Sequence, residues 1–159
     1  MNNLGLTTID SSKVLLSNKG YIRINGIELA ELKNIEIKVV PNIVKKNGIN
    51  SASTFEFITS VEGVINFEIY KIYSRFKPEI LKQIKNLNMF VFDLQCVTFN
   101  NDYTKEESLF IKSCWMNGEV VLAQLNADVD FLTEKYKAGF MVELANFLDH
   151  GTIDDGEDW

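Results

Sequence analysis

One histidine, two cysteines and two prolines are all that the 159 residues hold of these types. The histidine, His150, stands among glycine and acids near the C-terminus. Nucleophilic catalysis needs a base beside the nucleophile, most often histidine, and no such set is visible, so the chain reads as no enzyme. The nine glycines are scattered singly, which leaves no Gly-rich loop to cradle phosphate. No window approaches the roughly 18 uninterrupted apolar residues of a membrane span, and no membrane partner is expected. The start, Met1-Asn2-Asn3-Leu4-Gly5-Leu6, has neither the basic residues nor the apolar core of a secretory signal, so assembly in the cytoplasm is expected. Without that signal Cys96 and Cys114 read as small core residues rather than a disulfide.

A basic excess is also missing. Acids outnumber bases by 22 to 16. Residues 148–159 alone hold five acids and no Lys or Arg, so the rest of the chain lies within about one charge of neutrality. Nucleic-acid binding needs a clustered basic face, and none is apparent. The pairs Glu106-Glu107 and Asp154-Asp155 read as solvated charge. The run Asp154-Asp155-Gly156-Glu157-Asp158 lacks the alternating acids and the distant bidentate Glu of a calcium loop. Neither a metal nor a cofactor is expected.

What is present is strand pattern. An apolar fraction of 46% suits a soluble globular chain of single-domain length. Residues 1–12, rich in Ser, Thr and Asn, read as an arm. Gly20-Tyr21-Ile22-Arg23-Ile24 and Ile27-Glu28-Leu29-Ala30-Glu31-Leu32 flank Asn25-Gly26, the strongest short-range hairpin signal. Residues 34–39 alternate polar with β-branched side chains, with Ile35, Ile37 and Val39 facing inward. Pro41 is expected to stop that strand and to open a long connection over residues 41–54, with Ile43, Val44 and Ile49 making it sticky. Residues 54–60 form a short strand. Residues 63–73 alternate again, Ile65, Phe67 and Ile69 on one face and Asn66, Glu68 and Tyr70 on the other. The period then turns helical over residues 74–87, with Phe76, Ile80, Leu81, Ile84 and Leu87 on one stripe and Pro78 in the first turn. Strands follow at 89–99, 108–116, 119–126 after the Asn117-Gly118 turn, and 138–147. The expected fold class is mainly β (α+β), an antiparallel sandwich or barrel of seven to nine strands with one helix. It occupies a single domain, residues 1–149, followed by an acidic tail, residues 150–159. Several strands carry a polar face that one helix cannot cover, and such sheets either face water or close with copies of themselves.

The order of these elements resembles the tail tube proteins of phages of Gram-positive bacteria, the type found in contractile tails and phage-like bacteriocins. The resemblance rests on residues 20–32 with the strand that follows, on Gly63-Val64-Ile65-Asn66-Phe67-Glu68-Ile69-Tyr70-Lys71-Ile72-Tyr73-Ser74-Arg75, and on Phe147-Leu148-Asp149. In such proteins a Lys-x-x-Ser-Arg turn opens the single helix, as Lys71, Ser74 and Arg75 do here. Loop 41–54 and the acidic tail have no clear family sequence. The resemblance implies a virion tail subunit in six-fold rings stacked into a hollow tube, every copy lending strands to one inner barrel. It implies sheath, baseplate and tape-measure partners, and DNA or ions passing through without specific binding. Lumen-facing positions would then be Asn34, Glu36, Lys38, Asn66, Glu68, Gln124, Asn126 and Glu143. Lys38 is expected to pair with Glu36 or Glu68, and the lining to be polar or acidic, without a basic stripe. Ile43, Val44, Lys45, Lys46 and Ile49 would touch a neighbouring subunit or ring, and the helix, with Phe76, Ile80, Ile84 and Leu87 inward, would cover the outer side of the sheet near the sheath. A tube initiator or terminator, and a monomeric barrel with an apolar ligand pocket, remain the alternatives.

Overall fold

The computed structural model of the chain describes residues 15–50, 52–71 and 76–149. Arm 1–12, Ser74, Arg75 and tail 150–159 lie outside these residues. Eight strands are present among them: β1 (Leu15–Ile24), β2 (Ile27–Glu28), β3 (Leu32–Asn47), β4 (Thr54–Tyr70), β5 (Val91–Asn100), β6 (Glu106–Met116), β7 (Thr133–Phe140) and β8 (Ala145–Asp149). One α-helix, α1 (Lys77–Lys85), stands between β4 and β5. The strands form one sheet in the order β2-β1-β5-β6-β7-β4-β3, with β8 paired to β6 off this path. The mainly β class with a single helix is thus as the pattern predicts. The chain divides into two compact units.

Among the described residues the first unit holds residues 15–30, 93–111 and 146–149. Asn25 and Gly26 both take positive φ, 53° and 82°, as a type I′ turn demands. The Asn25 amide donates to the Asp93 carbonyl while its Oδ1 accepts from the Asp93 amide, both at 2.9 Å, which ties the turn to β5. Ile22, Ile24, Leu29, Leu94, Val97 and Ile111 form the buried set. Gly20 is required where β1 meets β5, since a Cβ there would lie 2.3 Å from the Val97 carbonyl oxygen. Cys96 lies on β5 in this unit; burial, with the Glu107 charge adding, pushes its thiol pKa up, which keeps it unreactive.

The second unit, residues 31–92 and 112–145, carries the longer ladder. Its core is Ile65, Phe67, Ile69, Ile80, Phe92, Cys114, Tyr136, Ala138 and Phe140. Each Ile and Phe of this set contributes about 1.5–3 kcal/mol on burial. Phe67 faces Tyr136 across β4 and β7, and their rings stack at 5.1 Å.

Several boundaries differ from the sequence reading. Pro41 does not stop β3; it pairs with Val61, and the strand continues to Asn47. β3 is the last strand in the order, and an edge is where a residue without an N–H is tolerated. The 41–54 connection therefore shrinks to the turn between Asn47 and Thr54. The strands at 54–60 and 63–73 are one strand, β4, because Gly63 serves packing rather than a turn: a Cβ there would sit 2.7 Å from the Phe140 ring. Residues 119–126 are not a strand. The 138–147 strand is two, β7 and β8, separated by the 3-10 turn Val142–Leu144.

Helix α1 buries Lys77 and Ile80 but leaves Ile84 47% and Leu87 95% exposed, against the expectation that both face inward. Its end explains this. The Leu87 amide donates to the Ile84 carbonyl and the Asn88 amide to the Gln83 carbonyl, each at 2.9 Å, which is a Schellman motif. Leu87 occupies the left-handed position that glycine favours, φ 59°, so it leaves the helical stripe. A side chain held there costs about 1–2 kcal/mol.

Candidate assembly interface

Cross-strand register sets the polar face of the second unit. Asn34 pairs with Glu68 and Glu36 with Asn66, while β7 places Lys135 opposite Glu68 and Lys137 opposite Asn66. Glu68 is the hub. Its Oε2 accepts from the Thr133 hydroxyl at 2.6 Å and its Oε1 from Asn34 Nδ2 at 3.2 Å, with Lys33 Nζ 3.8 Å away. The Thr133 hydrogen bond holds the carboxyl below its ordinary pKa, helped by Asn34, Lys33 and Lys135 and opposed by burial. Glu68 is therefore an anchored carboxylate, 9% exposed, rather than a freely hydrated one. Lys38 pairs with Glu36 at 3.3 Å, along its own strand rather than across the ladder.

Of the positions read from sequence, Asn34, Glu36, Lys38, Asn66 and Glu68 thus share one face. Gln124 and Asn126 lie in the strandless segment after Gly118, yet they line a depression together with Glu68 and Lys135. Glu143 is an exposed residue of the 3-10 turn, not of a strand. The residues missed are Thr133, Lys135 and Lys137. Their alternation with Tyr136, Ala138 and Phe140 was a strand signal, but Glu134 interrupts it on the buried side. With two lysines on β7 the face is a mixture of both signs rather than acidic.

Glu134 has a separate role. Its Oε1 lies 3.0 Å from Lys77 Nζ and 3.7 Å from Lys71 Nζ, and Tyr136 donates its hydroxyl to Oε2. Burial and that hydrogen bond push the Tyr136 pKa far above its ordinary value, so the phenol stays a donor. Among the described residues no group of three His, Cys, Asp or Glu side chains is placed to hold a metal ion. No helix among them is long and apolar enough to cross a membrane.

β7 stops pairing with β4 at the Gly63–Phe140 rung. Beyond it β3 and β4 continue as a two-stranded ribbon from the Val39–Gly63 pair to the Asn47–Thr54 pair. Val39, read as inward, is 47% exposed because it stands on the edge strand at the last rung that β7 reaches, through Gly63 to Phe140. At Thr59 the ribbon gains an extra residue, whose hydroxyl donates to the Asn42 carbonyl at 3.1 Å. Asn42 Nδ2 donates to Ser60 Oγ at 2.7 Å, and Lys45 pairs with Glu56 at 3.5 Å. Pro41, Val61, Ile43 and Ile58 lie on one face by alternation, Val44, Phe57 and Phe55 on the other. Phe55, Phe57, Ile58 and Val61 are 42–60% exposed, and Ile43 and Ile49 are exposed as well. Val44 is half-buried, and Lys45 and Lys46 are exposed.

Among the described residues, fold and surface define an antiparallel β-protein with β3 as an edge strand and an apolar ribbon. The chain belongs to the phage tail tube protein family, whose sequence profile matches residues 7–145. Solved structures share the fold at very low identity. A chain of the sheath–tube complex of PVC, an extracellular contractile injection system, matches with TM-score 0.63 and 6% identity over 84% of this chain and 90% of that one. The tube-terminating cap of the anti-feeding prophage matches with TM-score 0.66 and 8% identity over 86% and 93%. A chain of the anti-feeding prophage baseplate, 6-fold symmetrised, matches with 0.63 and 8% over 90% and 97%. Among curated proteins none matches.

Proposed function

We propose that this chain is the repeating, non-catalytic subunit of a hollow tail tube, built as six-fold rings that stack without limit in a phage or phage-like particle. Residues 1–149 form the tube domain. The observation that carries the reading is the β3–β4 ribbon. Apolar side chains exposed on both faces of an unpaired two-stranded ribbon, beside a free edge strand, are costly for a monomer and useful to an assembling one. The ribbon takes the place of loop 41–54 as the contact with neighbouring copies, with Ile43, Val44, Lys45 and Lys46 on β3 and Ile49 in the turn that joins its strands.

The polar face bearing Asn34, Glu36, Asn66 and Glu68 is the channel lining in this reading. Glu36–Lys38 and Glu68–Lys33 pair their charges internally, which leaves Lys135 and Lys137 as an excess of positive charge on the lining and makes the passage of ions or of a polyanion salt-dependent. Sheath, baseplate and tape-measure proteins are the expected partners, inside a particle assembled in the bacterial cytoplasm.

Negative-stain electron microscopy and sedimentation of the purified chain test the proposal. Hollow tubes of uniform width and open-ended growth are expected. The equal likeness to a terminating cap favours one alternative, a component that stops at a single ring; closed rings that never stack would establish it. A monomer at every concentration and in the presence of its baseplate would overturn both.

A further inference from the structure

Residues 84–91 expose four large apolar side chains within eight positions: Ile84 47%, Leu87 95%, Met89 58% and Val91 55%. Leu87 is the most exposed of the four and is held in the left-handed conformation where glycine would be unstrained. The Schellman turn accounts for the backbone at this position but not for a leucine whose side chain lies almost wholly in water, and such an outlier points to function. The patch has a cationic border, because Lys82 and Lys85 form the last turn of α1 and both are exposed. An occupant should therefore be acidic with a few apolar anchors.

The chain itself contains one such segment. Residues 150–159, His-Gly-Thr-Ile-Asp-Asp-Gly-Glu-Asp-Trp, carry four acids, no Lys or Arg, and the anchors Ile153 and Trp159. Ten residues can span up to about 33–36 Å when extended. We propose that the acidic C-terminal segment of one copy docks on the Leu87 patch of a neighbouring copy, its carboxylates against Lys82 and Lys85 and its apolar residues against Ile84, Leu87 and Met89. This contact rests on the self-assembling reading and lies outside the ribbon and the channel face. Its charged part weakens with salt, since exposed pairs are screened over about 10 Å at 0.1 M.

A charge exchange between full-length chains tests it. One variant carries Lys82→Glu with Lys85→Glu, the other Asp154→Lys with Asp155→Lys, and self-association is followed by sedimentation velocity at low salt. Each variant alone is expected to associate at least tenfold more weakly than wild type. An equimolar mixture is expected to recover, because each partner then offers the other an opposite charge. Recovery only when all four changes sit in one chain would overturn the neighbouring copy as occupant and assign the tail to its own body. Wild-type association by both variants would overturn the docking and leave the patch to another protein, while tubes of normal width from those variants would leave the tube reading intact. If wild type does not self-associate, the tube reading is what fails. A fluorescein-labelled peptide of residues 148–159 titrated into the full chain then decides the docking: saturable, salt-sensitive binding weakened tenfold by Lys82→Glu with Lys85→Glu upholds it, and its absence overturns it. Leu87→Asn guards against misfolding as a cause. Asn suits the left-handed conformation, so this variant should melt no lower than wild type while losing the same association.

Discussion

Lys77 Nζ lies 3.0 Å from Glu134 Oε1, and both side chains are more than nine-tenths withdrawn from water. Lys77 opens α1 and Glu134 stands on β7, so the pair fixes where the helix begins on the ladder. Few apolar contacts hold this helix, since Ile80 is its only deeply buried hydrophobic residue. Much of its attachment therefore depends on one carboxylate.

Glu134→Gln should for that reason destabilise the chain by about 3–5 kcal/mol, the cost of breaking a buried pair and leaving its partner charged. Replacing both residues, Lys77→Met with Glu134→Leu, should cost much less. Urea unfolding measures both, and an unchanged midpoint for Glu134→Gln would show that Lys77 finds water or another partner.

Glu68 gives the chain an acid limit. Its folded pKa lies below the ordinary 4.5, so its stabilising contribution is complete above that value and is lost as pH falls through the lower, folded one. Stability should decline from about pH 4.5 downward, and Glu68→Gln should flatten that decline while lowering stability at neutral pH. Thermal melts between these pH values check the prediction; parallel acid slopes for both chains would contradict it.

Gly63→Ala places a methyl 2.7 Å from the Phe140 ring and should cost about 1–3 kcal/mol by overpacking. Phe140→Leu opens that space at its own expense. The double variant should then be less destabilised than the two single costs combined, a coupling that a double-mutant cycle reads directly. Strict additivity would mean that the ring swings away freely.

Ile58→Asp and Phe57→Asp act on the ribbon, where both side chains are already exposed. Their effect on unfolding should stay within about 0.5 kcal/mol. Open-ended assembly should be lost. Replacing residues 43–58 by an Asn-Gly turn should do the same with the fold intact, as seen by circular dichroism alongside microscopy. Normal tubes from the trimmed chain would remove the ribbon from the interface.

Local signals were legible and non-local ones were not. Asn25-Gly26 declared its hairpin because the turn needs only the φ freedom of those two residues. Alternation in residues 34–39 and 63–70 placed Asn34, Glu36, Asn66 and Glu68 on one face correctly. The same alternation cannot reveal where a third strand stops, so Val39 looked buried although β7 ends on its rung. Gly63 read as a break because the Phe140 ring that requires it lies 77 positions away. Pro41 read as a stop because edge position is a property of the whole sheet. Leu87 fitted the helical stripe, and only the backbone of the C-cap takes it off.

Among the described residues β3 runs for sixteen positions with a neighbour on one side only. Along its open side the groups available to a further strand are amides and carbonyls, which every residue but proline supplies alike. An attachment made through them has no side-chain code to preserve. Mutation can rewrite the residues around such a border while the border itself keeps its grip. Chains that share 6–8% of their residues with this one, yet keep its fold, are what that indifference to sequence would leave behind.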